Sequence, residues 1–493
     1  MRDRARALLL ITLAVAALLN VGLALVIVGR PDEVRYGEAI IYEQAGRLLH
    51  GQALYQPLDQ PPYSVTAYTP LYYWLAALLR VALGAGFGPG RALSFAAGLV
   101  AATLVGYLTW RRTRAVWPAA AATLLFLGLG LVGPIPWFAS YKEDVLGLAL
   151  SLGAVVALDR APTPRSVAVA AVLAALAILT KQTLFMAALV GVVWLMFQRP
   201  RLAALFAALV GTLALAPLLV LEVTTHALLA NTVLANINPF GMTVLSYNLV
   251  LLVLFQTAPV LVAAPYLVAR LGRRAMVRDL LVLAWLASLL PVLGLAKEGA
   301  DYNYWQLFAA VTAILAASAT WERRERWSGA WSSLALALNA GVAITIIGAV
   351  TLADPTYIRP GAGASVAFAN LVSRAHAEPR GILADPLDTS VLADRSIELE
   401  PVIYKLFYQV GEWDPAPIVS RVCSGEISML VLGYPLGSPT QPAIQAEHQW
   451  PRPVLDALRH RLVLREVVPM GAAQRYVYQT DPDTACADAG GAA

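Results

Sequence analysis

Residues 7–38 read ALLLITLAVAALLNVGLALVIVGRPDEVRYGE. As far as Val28 the stretch carries no charge, and then Arg30, Asp32, Glu33, Arg35 and Glu38 arrive together. An apolar run of this length matches the roughly 20 residues that cross a bilayer as a helix. Arg2, Arg4 and Arg6 precede it and no small-residue cleavage site ends it, so it reads as an uncleaved anchor rather than a signal peptide. The acidic cluster therefore emerges on the far side of the membrane from the amino terminus.

The rest of the chain repeats the pattern. Ten further apolar runs lie near 90–109, 116–133, 143–158, 166–180, 183–197, 202–222, 248–269, 279–295, 304–320 and 329–352. With 59% hydrophobic and 14% charged residues, the 493-residue chain cannot cover a soluble surface, for which about 25% charged is usual. The mean hydropathy is +0.64. The net charge of +5 comes from arginines dispersed through short loops, which argues for membrane topology and against nucleic acid. If all eleven runs span, six arginine-bearing segments fall on one side: Arg2–Arg6, Arg111–Arg114, Arg160–Arg165, Arg199–Arg201, Arg270–Arg278 and Arg323–Arg326. Short basic loops face the cytoplasm, so the amino terminus is expected inside and everything after about residue 353 outside, the chain lying in the cytoplasmic (inner) membrane.

The expected organisation is a membrane module over 1–352, with a long first extracytoplasmic loop at 30–89, a Pro/Gly-rich linker at 353–365 and an extracytoplasmic α/β domain at 366–493. In that domain, strand-like runs at Gly381–Ala384, Ile427–Leu432, Leu462–Val468 and Arg475–Gln479 alternate with helical patterns near 399–410 and 452–461. Both cysteines, Cys423 and Cys486, lie there; the compartment permits a disulfide, and two cysteines alone do not decide it.

The expected outer face holds the chemistry. Residues 34–49 have Ile41, Ala45, Leu48 and Leu49 on one helical face and Glu38, Glu43, Gln44 and Arg47 largely elsewhere, which reads as a helix lying on the membrane surface. Asp32 serves either as an N-cap for it or as a catalytic carboxylate. Lys142-Glu143-Asp144 opens the fourth run, where acids either answer the helix dipole or serve a site. Lys297 leads into Asp301, Tyr302, Asn303 and Tyr304, donors and acceptors at the mouth of the tenth run or an ordinary interfacial loop. Tyr68 belongs to an aromatic stretch suited to the headgroup level. Only four of the 36 basic residues are lysine, and Lys142, Lys181 and Lys297 all sit at expected outer ends of spans, where cations are disfavoured. Convergence on one anionic headgroup explains them. All three are expected to line one pocket: Lys142, beside Glu143 and Asp144, either joins it or neutralises them, Lys297, beside Glu298, is intermediate, and Lys181, with no acid within four residues, is the better phosphate candidate. The five histidines show no zinc spacing, and there is no Walker loop.

Taken together, Asp32-Glu33, Gly51…Tyr55, Tyr68-Thr-Pro-Leu71, Lys142-Glu-Asp144, Leu179-Thr-Lys-Gln-Thr183 and Gly299-Ala-Asp-Tyr-Asn-Tyr304, in this order and on one membrane side, resemble the GT-C class of membrane glycosyltransferases, especially bacterial family-39-like enzymes. Gly411-Glu-Trp-Asp414 looks like part of their periplasmic domain. The resemblance implies transfer of a sugar from a polyprenyl-phosphate carrier to an acceptor hydroxyl of an envelope glycan, lipid or protein, usually with inversion. It implies Asp32 as general base. Glu33, Glu143 and Asp144 would orient acceptor or sugar, or hold a divalent metal in members that use one; the resemblance leaves metal dependence open. No MIR-like β-trefoil insertion is present, which leaves the acceptor open. A secondary transporter and a non-catalytic lipid-binding or assembly protein are the alternative classes.

Overall fold

The computed structural model describes residues 2–131, 136–159, 161–271, 276–353, 361–470, 473–481, 484 and 486. Every expected apolar run carries helix. In chain order α1 covers Arg2–Val28, α2 Glu38–Leu49, α3 Leu71–Leu83, α4 Gly88–Thr113, α5 Val116–Leu125, α6 Asp144–Leu158, α7 Pro164–Thr180, α8 Met186–Gln198, α9 Pro200–Thr225, α10 Met242–Leu271, α11 Leu280–Ala287, α12 Gln306–Glu322 and α13 Trp327–Ala353. Among the described residues five helices, within 3–28, 88–113, 200–225, 242–271 and 327–352, are long and apolar enough to cross a bilayer. The chain is a multi-pass membrane protein. Shorter apolar helices of 10–17 residues fall short of a full span, so the count of eleven spans is not established by helix length. One of them, α3, lies in the first loop, where the sequence pointed only to an aromatic stretch.

Several polar side chains inside the module find partners on its backbone, as an apolar medium favours. A π-helical turn at Phe126–Gly130 frees carbonyls at the end of α5. Asn20 Nδ2 donates to Leu127 O at 2.7 Å and Gln256 Nε2 to Leu129 O at 3.1 Å. At one end of the module the arginine segments meet. Arg6 reaches Arg324 O, Arg111 pairs with Asp159, and Arg112 and Arg270 pair with Asp279, which also accepts from Tyr266. Arg160, Arg273 and Arg274 fall outside the described residues.

At the opposite end α2 and α3 pack beneath a C-terminal domain. Its first helix, α14, covers Ala362–Ala377 and so begins inside the expected linker, of which 354–360 lie outside the described residues. A four-stranded sheet follows, ordered β1-β2-β4-β3, with β1 Gly381–Asp385, β2 Ile427–Leu432, β3 Leu462–Met470 and β4 Ala473–Thr480. The β1–β2 pair is parallel and the others antiparallel. Alternation divides the strands between two cores. Ile382, Ala384, Met429 and Val431 face Leu371 and Ala375 of α14. Leu383, Leu430 and Leu432 face α15 (Pro401–Val410), α16 (Ala416–Cys423) and α17 (Arg452–Arg461). Cys423 and Cys486 form a disulfide.

That second core also contains Tyr63 and Val65 from the first loop. Tyr63 makes a parallel bridge to Leu399, its carbonyl accepts from Glu400 N at 2.8 Å, and its ring meets Tyr404 and Trp413 edge-on at 5.4 and 5.3 Å. The Trp413 of the Gly411–Asp414 motif is thus a docking residue.

Candidate active site

The expected outer segments converge on one cavity of about 520 Å³. Its walls come from 34–44, 65–73, Trp137, Lys142, 181–183, 235–238, 297–304 and, from the C-terminal domain, Glu400 and Ile403. Tyr68, Lys142, Lys181, Lys297, Asp301, Asn303 and Tyr304 all line it. Asp32, Glu33, Glu143 and Tyr302 do not. A second, apolar space of about 250 Å³ opens among Leu148, Leu184, Phe185, Leu290, Pro291 and Leu307, and shares Lys181, Thr183, Asn303 and Tyr304 with the first. Asp144 lies on this second space.

The loop after α1 is organised by one carboxylate that the sequence analysis took for part of a polar helix face. Glu38 is fully buried and accepts from Val34 N, Arg35 N, Tyr141 N and both Arg91 Nε and Nη2, at 2.6–3.2 Å. Burial works against its charge, but Arg91 and these amides outweigh burial and hold its pKa below the ordinary value. The expected surface helix is therefore corrected: α2 is buried nearly all round, its Arg47 paired with Glu43 and its Tyr42 covered by the Arg80 guanidinium at 3.7 Å. An amphipathic pattern shows which residues are polar, not what covers them.

Asp32 does not cap α2. The N-cap is Gly37, and Asp32 is held by Arg30 Nε and Nη2 at 3.0 and 2.5 Å. Glu33 accepts from Ala39 N, while its own N–H donates to Asp388 Oδ2, which also takes Arg475 at 2.8 Å. Desolvation, followed by the carboxylates of Asp388 and Glu38, raises the Glu33 pKa to about 8. Arg35 binds Asp301 at 2.8 Å and the Tyr302 hydroxyl at 2.6 Å, and stacks over Trp137 at 4.2 Å. Tyr302, buried, is thus a prop for Arg35 rather than a cavity residue.

The lysines exchange their expected roles. Lys181 Nζ is clamped by Glu143 at 2.9 Å and Asp144 at 2.6 Å, above the Tyr68 ring at 4.4 Å. Asp144 also accepts from Asn303 and from Trp137 Nε1, both at 2.9 Å. Burial opposes the Lys181 charge, but the two acids outweigh it and raise its pKa well above the usual range. Lys142 turns the other way, onto Gly37, whose φ of 86° and missing side chain make room: a Cβ there would lie 2.4 Å from Nζ. Neither Lys142 nor Lys297 has an ion-pair partner among the described residues. Burial, and then Lys181, lowers the pKa of Lys297; burial is also the largest influence lowering that of Lys142. Sequence neighbours at the head of a helix diverge in space, so adjacency of Lys142 to Glu143 was a poor guide. Glu143, Asp144 and Glu33 favour the Lys142 charge from a distance without pairing with it, and Lys297 is half-buried on the same cavity.

The carboxylates do not fit a metal. Among the described residues no three His, Cys, Asp or Glu side chains converge, and Glu143 and Asp144 are engaged by Lys181.

No family model and no curated protein matches the sequence. Solved structures do match. ArnT from Cupriavidus metallidurans, bound to undecaprenyl phosphate, superposes with a TM-score of 0.58 at 14% identity, over 94% of this chain and 98% of its own. The archaeal oligosaccharyltransferase AglB from Archaeoglobus fulgidus, in complex with an inhibitory peptide and a dolichol-phosphate, gives 0.57 at 14% identity, over 96% of this chain and 74% of its own. The chain has the GT-C fold. Within this GT-C frame two residues of the cavity region escaped the sequence analysis. Glu38 looked like one acid among several. Glu400 lies in the C-terminal domain, yet its Oε1 accepts from the Tyr36 hydroxyl at 2.8 Å and its Oε2 from Val65 N at 3.0 Å. Burial raises its pKa. No local signal marks a contact across 364 residues of sequence.

Proposed function

We propose that the chain transfers a sugar from a polyprenyl-phosphate carrier to an acceptor hydroxyl on the extracytoplasmic side of the cytoplasmic membrane, with the amino terminus inside and the module crossing eleven times. The observation that carries this reading is that the apolar space and the lysine-bearing cavity lie side by side, sharing Lys181, Thr183, Asn303 and Tyr304. An amphiphile with an isoprenoid tail and a phosphate head fits the pair, tail in the groove and head against Lys142 and Lys297. The carriers bound in the ArnT and AglB structures support the same chemistry. A transporter would need its polar groups along a path through the bilayer, whereas these cluster at one end of the helices.

In the transfer, the acceptor oxygen bonds to the anomeric carbon as the carbon–oxygen bond to phosphate breaks, and the carrier phosphate leaves with the electron pair. Lys142 and Lys297 offset the charge that grows on it. The acceptor proton passes to Asp32, the base that the resemblance implies. Asp32 lies two residues before cavity-lining Val34, and Arg30 must yield its carboxylate when the acceptor arrives. Glu143 and Asp144, through Lys181 and Asn303, hold the junction of groove and cavity in shape. The acceptor, an envelope glycan, lipid or protein, enters from the side of the C-terminal domain.

The test uses the full chain in lipid nanodiscs. Undecaprenyl phosphate should raise the unfolding temperature of the wild type, with the effect lost in Lys142→Ala and Lys297→Ala. Asp32→Asn should bind the carrier yet turn over about 10²–10⁴-fold more slowly with a sugar-bearing carrier. Absence of any carrier effect on the wild type would overturn the reading.

A further inference from the structure

Glu400 and Tyr36 form a pair that the transfer chemistry above leaves unused. Both line the cavity, and Glu400 is only 3% exposed. Tyr36 has 48% of its surface accessible although it sits where the first loop meets the C-terminal domain. Each Glu400 oxygen takes one hydrogen bond from the protein, from Tyr36 and from Val65 N. A carboxylate offers about four acceptor sites, so half of that capacity is unspent. Next along the same wall is Gln44, wholly buried. Its Nε2 donates to Val65 O at 2.8 Å and Ser64 Oγ at 3.2 Å, and because Val65 O can only accept, the amide orientation is fixed. Among the described residues Gln44 Oε1 is then left as an acceptor without a partner. The hydroxyl of Tyr73, also a cavity residue, has none among them either.

This wall differs in kind from the one bearing the lysines. It presents acceptors and phenol hydroxyls, and it lies within electrostatic reach of Lys142. A docking strut alone would not need to place its carboxylate on the cavity wall, where Glu400 lies. We propose that Glu400, with Tyr36, binds the hydroxyl groups of the donor sugar, so that the C-terminal domain takes part in choosing which sugar is transferred. The inference rests on the carrier reading above: with phosphate at Lys142 and Lys297, the group attached to it occupies the space between the two walls. A sugar brings several O–H donors, which an acceptor-rich wall satisfies and an anionic group would not.

The experiment compares bare undecaprenyl phosphate with undecaprenyl phosphate carrying glucose, glucosamine or arabinose, binding to the full chain in nanodiscs without acceptor. For wild type, at least one sugar-bearing carrier should bind about tenfold or more tighter than the bare one, as hydrogen bonds to a charged group provide. Glu400→Gln keeps the shape and one acceptor oxygen; Tyr36→Phe leaves Glu400 intact and guards against a folding defect in the first variant. Both should hold bare-carrier affinity while most of the sugar increment disappears. If wild type binds no bare carrier, the carrier reading fails and this inference falls with it. If the bare carrier binds and the sugar increment survives both substitutions, or no sugar adds affinity to wild type, the sugar role of Glu400 is overturned and the carrier reading stands.

Discussion

Glu33 keeps a proton that an exposed glutamate would shed. Its pKa is about 8 in the folded chain against an ordinary 4.5, so between those values the folded state binds a proton that the unfolded state lacks. Stability from this group is complete below about pH 4.5 and is lost as pH rises toward 8. Glu33→Gln retains an oxygen for Ala39 N and cannot titrate. Its unfolding temperature should therefore fall less than that of wild type between pH 5 and pH 8; parallel curves would refute the assignment. Asp32, one residue away, illustrates how far sequence reading goes at this scale. Its position after the first apolar run was legible, but Arg30 bound to it was not, because a two-residue separation in a loop leaves side-chain direction undetermined. The lysines were legible as a set, from their rarity and placement. Which one was already neutralised depended on the fold bringing Lys181 to Glu143 across 38 residues.

Among the elements, α2 shows what a pattern omits. Its end at Leu49 was read to the residue and its start at 34 four residues too early, and its surroundings were wrong, since Arg80 and Arg91 come from other helices. The Glu38–Arg91 pair is inaccessible on both sides. Removing one partner of such a pair leaves the other charge buried alone, at a cost of about 3–5 kcal/mol. Glu38→Ala should lower the unfolding temperature sharply in detergent and release the first loop to proteolysis; a wild-type melting curve would show that the five hydrogen bonds to Glu38 matter little. Strands β1 and β2 were legible because each apolar run is short and bounded by turn residues. The spans were less so: α3 and several membrane helices are too short to satisfy a length criterion, yet they pack among longer neighbours that supply the rest of their surroundings.

For the molecule as a whole, the first loop and the C-terminal domain fold as one body, with Tyr63 and Val65 in the domain's own core and Glu400 in the cavity. Composition revealed a separate C-terminal domain but not this union, whose contacts join residues hundreds of positions apart. The arginine pattern bears on orientation. Alkaline phosphatase fused behind the C-terminal domain should be active, and a green fluorescent protein at the same place should stay dark; the reverse would invert the topology. The disulfide has a further consequence. It closes a loop of 63 residues that holds three of the four strands, and a cross-link over that length is worth about 4 kcal/mol in a chain-entropy account. Thiols stay reduced where chains are synthesised and oxidise only beyond the membrane. On the proposed topology the domain that bears Glu400 gains this cross-link only after it has crossed the membrane, so a reductant should lower the unfolding temperature of the full chain and an unchanged melting curve would show that the bond adds little.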